Sequence, residues 1–350
     1  MTRGLDYCSV GHAGGDAAGI TRPGAAAAPE PARLGSSVVP DVAPSPASCP
    51  PADPLAPVAR LDAPALLAEL RAHSGEALEL VGPLPGGQVG AALVRRPDGR
   101  EGVLTHWGDA SDAAWDRISR TGELLELARG SGIPAPRYEL VTRLHGRIAV
   151  VQERLPGVPP ASVDVHLVET MAGIAGRGAG LLAGRPDVPA VELYLLRSGP
   201  GFCVHATLRD HDERTRRLLA LIRRIGFDAP ATMPGDDLVH LDFTTGNVLV
   251  DRTGAVTGVV DWDGIGRGDH RFALVTLRFD LAAPARDAQD RSARAAAARW
   301  LDARLDAVLD PATLRIFWAH MGLRMVDWAI RHHGPDDVDR WLTVAASRLV

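Results

Sequence analysis

The chain has 350 residues, of which 46% are hydrophobic and 23% are charged, enough to bury the core of one large domain or of two modest lobes. The formal net charge is only -5 and no apolar stretch is long enough to span a bilayer, so neither a nucleic acid nor a membrane is an expected partner. Residues 1–14 lack the apolar core of a secretory signal, and the cysteines are scattered without metal-ligand spacing. Together these features favour a reducing, cytoplasmic location.

Residues 1–57 are rich in alanine, proline, glycine and serine, and they are predicted to form a disordered tail without a chemical role. Residues 63–73 then favour a short helix. Three strands are predicted between residues 78 and 107, with an Asp98–Gly99 turn before the third. The first two strands are joined by a glycine-rich turn that contains Gly86, Gly87 and Gly90.

A longer helix is predicted over residues 110–129, because two glycines and a proline follow it closely. Two further strands are predicted at residues 138–142 and 147–152, with a turn between them. Residues 58–155 are therefore expected to form a small lobe, an antiparallel sheet with one inserted helix.

Helices dominate residues 156–350, which are expected to form a second lobe that carries the catalytic loop and the substrate site. Helices are predicted at residues 167–183, 209–225, 287–309, 310–333 and 336–349. Asp310 followed by Pro311 is favourable chemistry for a helix start. Two short strands, at residues 247–250 and 258–260, interrupt the helical pattern.

The segment from His240 to Asp261 carries the most specific pattern in the chain. It reads His240-Leu-Asp-Phe-Thr-Thr-Gly-Asn-Val-Leu-Val, then a turn, then Val-Val-Asp-Trp-Asp-Gly. Phosphoryl transfer needs a carboxylate that orients the attacking hydroxyl, oxygen ligands for Mg2+, and cations or backbone N–H groups around the phosphates. Asp242 would supply the carboxylate, and a hairpin after Asn247 would fold Asp261 back so that both residues hold the metal. The alternative is a hairpin with ordinary turn carboxylates.

This pattern resembles the aminoglycoside phosphotransferase and choline kinase family, whose motif is His-x-Asp-x-x-x-x-Asn followed by Asp-Trp and an acidic residue. The resemblance covers the chain from about Leu78 onward. It implies an α+β, two-lobed protein-kinase-like fold with ATP bound in the cleft. It also implies that Asp242 is the catalytic base, that His240 supports the loop, and that Asn247 and Asp261 are the Mg2+ ligands.

The same resemblance suggests which residues hold the nucleotide. The glycines Gly86, Gly87 and Gly90 would cover the phosphates, although the turn by itself is also typical of a plain hairpin. Glu153 and Leu155 lie in the stretch that matches the interlobe hinge, whose backbone would bind adenine. The alternative for this stretch is an ordinary strand exit. Asp263 would assist the metal site or face the substrate, and Asp269 matches an aspartate that is more plausibly structural.

The chain departs from the family pattern in the small lobe. In the family the third strand carries a lysine that pairs with the α- and β-phosphates and with a helix glutamate, whereas this chain contains no lysine. Thr105 or His106 stands at that place. The candidate replacement cation is Arg95 or Arg96 on the neighbouring strand, and the alternative is that both arginines face solvent.

Several acidic and aromatic residues have two interpretations. Glu123 or Glu126 would be the helix partner of the family's lysine, or a solvated helix charge. A locally acidic set would either line a pocket for a cationic substrate or form a solvated surface; it comprises Asp210, Asp212, Glu213, Asp236 and Asp237. Residues of the penultimate helix would either wall the substrate site or be core aromatics and surface histidines; they are Trp318, Trp328, His332 and His333.

The sequence therefore predicts an ATP- and Mg2+-dependent phosphotransferase that acts on a hydroxyl of a small molecule, an aminoglycoside-like antibiotic or a metabolite. The alternative is a pseudokinase-like nucleotide-binding module without turnover, which the missing lysine favours and the intact catalytic loop disfavours. The sequence names neither the acceptor nor the oligomeric state.

Overall fold

The computed structural model describes residues 60–85 and 89–349. The predicted tail at residues 1–57 and the turn glycines Gly86 and Gly87 lie outside the described residues, whereas Gly90 lies within them. The described chain has a small lobe built on an antiparallel sheet and a second, mostly helical lobe, so the predicted α+β class is confirmed. Among the described residues, no helix is long and apolar enough to cross a bilayer.

The small lobe contains both helices and strands. In chain order its elements are α1 (Ala63–Ser74), β1 (Glu79–Leu84), β2 (Ala91–Arg95), β3 (Glu101–Trp107), α2 (Asp112–Gly130), β4 (Tyr138–Leu144) and β5 (Arg147–Glu153). The strands form one antiparallel sheet in the order β1-β2-β3-β5-β4. Asp62 and Ser111 start the two helices, because each side chain accepts a backbone N–H of the first helical turn.

The two faces of this sheet are covered by different helices. Ala149 belongs to the apolar cluster beneath α1, whereas Val150 packs in the cluster that contains Ile118 of α2. Residues paired across two strands point to the same face of a sheet. Thr105 pairs with Val150 and therefore points toward α2, while His106 pairs with Ala149 and points toward α1. The two residues considered for the lysine position thus lie on opposite faces.

The helical lobe holds the catalytic segment within short strands. Its elements are α3 (Val165–Gly176), α4 (His205–His211), α5 (Glu213–Phe227), β6 (Asp237–His240), β7 (Val248–Val250), β8 (Val256–Val259), β9 (Ile265–Gly268), α6 (Phe272–Asp280), α7 (Ala288–Val308), α8 (Pro311–His332) and α9 (Pro335–Leu349). Strand β6 pairs with β9, and β7 pairs with β8. Asp310 starts α8 as predicted, since its carboxylate accepts the N–H groups of Ala312 and Thr313.

Helix α3 ends at Gly176, well before the predicted end at residue 183. The cause is a close approach between the chain after α3 and strand β6. The Gly178 carbonyl accepts a hydrogen bond from the Leu238 N–H (2.9 Å), and a Cβ atom on Gly178 would lie only 2.5 Å from the Leu238 carbonyl oxygen. Only glycine permits this approach, so a tertiary contact with the strand that leads to the catalytic loop sets the end of the helix.

The helix predicted over residues 209–225 is two helices in the structure. Asp212 lies between α4 and α5 in an extended conformation. Its carboxylate accepts the Thr215 N–H (2.8 Å), and the Thr215 hydroxyl accepts the Asp212 N–H (3.1 Å), which starts a new helix. The sequence pattern does not predict α6, because nearly all its residues are buried and it has no polar face that would mark a helical period.

We expect Gly178→Ala to lower the free energy of unfolding by about 1–3 kcal/mol, because the added methyl group would push against backbone rather than a movable side chain. Urea unfolding followed by circular dichroism measures the change. Gly184→Ala is the matched control, since nothing lies within 4 Å of a Cβ atom at that glycine. Equal stability of the two variants would contradict the proposed tight contact.

Candidate active site

The β7–β8 hairpin places two potential metal ligands side by side. Val248 pairs with Val259, and the Val260 N–H donates to the Asn247 carbonyl (2.9 Å). Asp261, the next residue, therefore lies next to Asn247. Asp261 has a left-handed backbone (φ 63°, ψ 61°), which is uncommon for a residue other than glycine and is often found where a functional site constrains the chain.

The carboxylate of Asp242 is buried and receives hydrogen bonds from two side chains. Its Oδ2 accepts from the Asn247 amide nitrogen (2.9 Å), and its Oδ1 accepts from the guanidinium of Arg324 (3.2 Å). The same amide nitrogen also donates to the Asp242 carbonyl (2.9 Å). Because both acceptors lie on the nitrogen side of the amide, the Asn247 side-chain oxygen is directed away from Asp242 and is available as a ligand.

Burial disfavours the ionised forms of the Asp242 and Asp261 carboxylates. Burial raises the pKa of Asp242, and the nearby negative charge of Asp261 raises it further, while the cation of Arg324 lowers it. Burial likewise raises the pKa of Asp261, and Arg324 again opposes the shift. A divalent cation would relieve both penalties. An amide oxygen beside a carboxylate is a hard-oxygen donor set, so the residues present fit Mg2+.

His240 links the catalytic loop to the strand that leads to Asp261. Its Nδ1 accepts the Asp242 N–H (3.1 Å), so its Nε2 carries the proton and donates to the Val260 carbonyl (3.1 Å). Its ring lies 4.5 Å from that of Trp262, centroid to centroid. Burial lowers the pKa of His240 to about 4, so the ring is neutral and supports the loop through hydrogen bonds.

Helix α6 supports the loop from below through a buried aspartate. The N–H and the hydroxyl of Thr245 both donate to the Asp280 carboxylate, at 2.9 and 2.7 Å. Burial raises the pKa of Asp280, and the two hydrogen bonds from Thr245 oppose that shift. Sequence reasoning missed Asp280. The only signal was a lone acidic residue at the end of a strongly apolar stretch.

Helix α8 contributes Arg324, which sequence reasoning also missed. In addition to its bond to Asp242, the guanidinium donates to the Leu241 carbonyl (2.7 Å), and it lies 5.9 Å from the centre of the Phe202 ring. The side chain is only 14% exposed. A cation on a distant helix therefore holds both the backbone and the carboxylate of the catalytic loop.

The predicted hinge is tied to both lobes. The Glu153 carboxylate accepts from the Arg129 guanidinium (2.8 Å) and from the Arg137 N–H (3.2 Å), which binds the end of β5 to α2 and β4. Leu155 lies against β8, because a Cβ atom on Gly258 would lie 2.9 Å from the Leu155 Cδ1. Upstream, Gly90 has φ +79°, a conformation that favours glycine. The roles of Glu153, Leu155 and Gly90 toward a nucleotide stay predictions.

The arginines considered as substitutes for lysine have other partners. Arg95 forms ion pairs with Glu79 (3.7 Å) and Glu101 (3.3 Å), and Arg96 forms one with Glu139 (3.0 Å). A role for Arg95 in nucleotide binding therefore stays a prediction. The helix glutamates also point elsewhere, and their partners are Arg185 for Glu123 and Arg137 for Glu126.

The acidic set from the sequence is engaged in ion pairs. Its side chains bond to basic neighbours as follows: Asp210 to Arg209, Asp212 to Arg214, Glu213 to Arg216 and Arg217, Asp236 to Arg267, and Asp237 to His270. Asp269 bonds to Arg271 (2.6 Å). The aromatic residues Trp318 and Trp328 are buried in α8, and His332 packs on Trp328. These contacts favour structural interpretations over substrate binding.

A small antiparallel sheet followed by a helical lobe with this catalytic loop defines the protein-kinase-like fold, and solved structures bear this out. An apo aminoglycoside phosphotransferase APH(4)-Ia, a thermostable mutant, superposes with a TM-score of 0.58 at 17% identity, over 81% of this chain and 97% of that chain. A ternary complex of that enzyme with AMP-PNP and hygromycin B gives 0.59 at 16% identity, over 82% and 98%. An aminoglycoside-3'-phosphotransferase of type VIII gives 0.51 at 23% identity, over 74% and 98%.

The phosphotransferase enzyme family (APH) matches residues 81–317, and the chain belongs to this family. The match begins in β1 and extends into α8, so it includes the catalytic loop and the hairpin. No curated protein matches the sequence. The chain is thus a member of a family of small-molecule phosphotransferases, and the fold expected from the sequence is confirmed.

We expect Arg324→Ala to lower kcat by about 10- to 100-fold and to cost about 3–5 kcal/mol of stability, because it leaves a buried carboxylate without its cation. Steady-state kinetics and urea unfolding measure the two effects. Arg331→Ala is the matched control on the same helix, since it breaks the buried pair with Asp327 (2.8 Å) away from the loop. It should lose stability but keep kcat. A loss of kcat in both variants alike would indicate a general packing effect.

His320, one turn before Arg324, provides a prediction about pH. Burial lowers the pKa of His320 to about 3, so the unfolded chain, with an ordinary histidine pKa near 6.5, binds a proton first as the pH falls. The part of the free energy of unfolding that depends on neutral His320 is fully present above about pH 6.5, and it is lost as the pH falls below that value. Relative to wild type, His320→Phe should therefore gain about 1.4 kcal/mol between pH 7.5 and pH 5.5. Urea unfolding at both values tests this, with exposed His145→Phe as the control that should show no such gain.

Proposed function

We propose that the protein transfers the γ-phosphoryl group of ATP, with Mg2+, to a hydroxyl of a small molecule, an aminoglycoside-like antibiotic or a metabolite. One observation carries the proposal. The buried Asp242 carboxylate is held by Asn247, and Asn247 is bonded through the hairpin to the residue before Asp261. These contacts support the proposal, because phosphoryl transfer would need a proton acceptor and two oxygen ligands for a metal close together.

In the proposed reaction Asp242 orients the acceptor hydroxyl and takes its proton. The hydroxyl oxygen forms a bond to the γ-phosphorus as the bond to the bridging oxygen of ADP breaks. Asp242 must be ionised for this role, and the hydrogen bonds from Asn247 and Arg324 stabilise its anion. Asn247 and Asp261 would hold Mg2+, which when bound neutralises charge on the phosphates.

The nucleotide would lie against the small lobe. The chain after Glu153 would present backbone groups to adenine, with Leu155 near the base, and the Gly86–Gly90 turn would cover the phosphates. The Glu153 N–H is already bonded to the Arg137 carbonyl (2.8 Å), so adenine would meet the backbone beyond it. The ternary complex of APH(4)-Ia with AMP-PNP supports ATP as the donor.

The acceptor hydroxyl would approach Asp242 on the side of Arg324 and Phe202. An arginine and an aromatic ring here favour a neutral or anionic group next to the reacting hydroxyl. The nearby acidic residues of the helical lobe are paired with arginines, so they offer little attraction to a polycation. A substrate panel should therefore contain sugars, hydroxy acids and nucleosides beside aminoglycosides, with ATP consumption as the readout.

The alternative is a nucleotide-binding module without turnover. Thr105, which faces α2 where the family has lysine, is the observation that favours it. The catalytic loop opposes it, because buried Asp242 would be destabilising without a chemical use.

We expect Asp242→Asn to reduce ATP-dependent phosphorylation of an acceptor found in the panel by at least about 1000-fold, because the amide cannot take the proton. Asp251→Asn is the matched control. Asp251 lies in the exposed turn of the same hairpin, where its carboxylate bonds to Thr253, and its variant should stay within about twofold of wild type. If wild type and Asp242→Asn bind ATP but are equally inert across the panel, the non-enzymatic alternative is correct.

A further inference from the structure

The absence of lysine leaves open which cation meets the phosphates of ATP. All 38 residues counted as lysine or arginine are arginine. On β3 the side chains that face α2 alternate as Val103, Thr105 and Trp107, and none is charged. A triphosphate in a partly dry cleft needs positive charge beside it. That charge must therefore come from another element.

Arg95 lies at the end of the sheet that is near the hinge. It pairs with Glu101, and the next residue, Gly102, pairs with Glu153 at the hinge. Thr105 lies four residues beyond Glu101 on β3, a distance of about 13 Å at the rise of an extended strand. The carboxylates of Glu79 and Glu101 also compensate the charge of Arg95, and its role toward a nucleotide stays a prediction.

Helix α2 carries an arginine beside the face that packs against the sheet. Ala114, Ile118 and Thr121 form its buried stripe, and Ala114 and Ile118 pack against β5. Arg117 adjoins this stripe, and its Nη2 atom is buried although it carries charge. Burial lowers the pKa of Arg117, while the nearby carboxylates of Asp263 and Asp109 oppose that shift.

Asp263 and Asp109 are the carboxylates whose negative charge acts on the Arg117 guanidinium. Asp263 lies two residues after Asp261, in the short helical turn that follows it. The ring of Tyr138, the first residue of β4, packs 3.4 Å from the Cβ position of Gly122 on α2, and it also packs against the core cluster that contains Trp262 of this turn. Leu124 and Leu125 of α2 thus share one apolar cluster with Trp262, the residue that follows Asp261.

The same helix offers no counter-charge that would suit a lysine on β3. The buried polar residue of its stripe is Thr121, whose hydroxyl donates to the Arg117 carbonyl (3.0 Å). Glu123 and Glu126 are exposed and bonded to arginines outside the cleft. This arrangement differs from the family's strand lysine paired with a helix glutamate. It consists of Thr105 on β3, Thr121 on α2 and Arg117 one turn before Thr121.

We propose that Arg117 of α2 binds the polyphosphate of ATP and supplies the cation that β3 lacks. The proposal rests on the proposed use of ATP. A guanidinium suits the task, because its planar donors match phosphate oxygens in pairs and its charge persists when buried. The position of α2 is then coupled directly to the nucleotide.

The first test measures binding without any acceptor. Calorimetry with Mg2+ compares AMP-PNP and AMP for wild type, Arg117→Gln and Arg120→Gln. Arg117→Gln should weaken AMP-PNP binding at least tenfold and change AMP binding less than twofold. Arg120 lies one turn further along α2 and faces Asp187, so its variant should bind both nucleotides like wild type.

The outcomes separate the two proposals. If wild type binds neither nucleotide, the proposed function fails. If wild type binds AMP-PNP and Arg117→Gln binds it equally well, only the role of Arg117 is overturned. If Arg117→Gln weakens AMP and AMP-PNP alike, Arg117 merely anchors α2 and the proposal is also overturned. Thermal unfolding with a melting temperature within a few degrees of wild type confirms that the variants are folded.

A second test moves the charge. Thr105→Lys in the Arg117→Gln background should restore most of the lost AMP-PNP affinity, because Thr105 points toward α2. His106→Lys in the same background is the matched control, since the neighbouring residue points to the opposite face and should restore none. Equal recovery with both lysines, or none with Thr105→Lys, would overturn the placement of the cation between α2 and β3.

Discussion

The hydrogen bond from the Val260 N–H to the Asn247 carbonyl is the contact on which the site depends. It closes the β7–β8 hairpin and sets which residue stands beside Asn247. A shift of one residue would turn Asp261 to the other face and separate it from Asp242. The left-handed backbone of Asp261 shows that the chain adopts a costly conformation to keep this arrangement.

Near that contact, two buried carboxylates are stabilised by hydrogen-bond donors. Asp242 and Asp280 are both nearly inaccessible, and each is held by specific donors from another part of the chain. Arg324 reaches Asp242 from α8, and Thr245 bonds to Asp280 at the end of α6. The catalytic loop is therefore hydrogen-bonded to both α6 and α8. These bonds limit its motion and keep the Asp242 carboxylate oriented. Helix α8 also brings the Arg324 guanidinium to 5.9 Å from the centre of the Phe202 ring.

The small lobe departs from the family pattern at β3, because the chain contains no lysine. Thr105 and Thr121 line the facing surfaces of β3 and α2, and the nearby positive charge belongs to Arg117 on the helix. A cation on α2 would remove the need for a cationic side chain on the sheet. With Arg117 binding the phosphates, as proposed, the sheet would need only to support α2.

The sequence by itself determined what depends on nearby residues: the sheet followed by helices, the start of α8 at Asp310, and the spacing of His240, Asp242, Asn247 and Asp261. Local hydrogen bonds and short turns encode these features, so their pattern is readable along the chain. Tertiary structure alone decided the early end of α3 at Gly176, which the close approach of Gly178 to β6 sets. It also decided the support from Asp280 and Arg324 and the opposite faces of Thr105 and His106. Each of those depends on a contact between residues far apart in sequence, or on a strand register that no local pattern specifies.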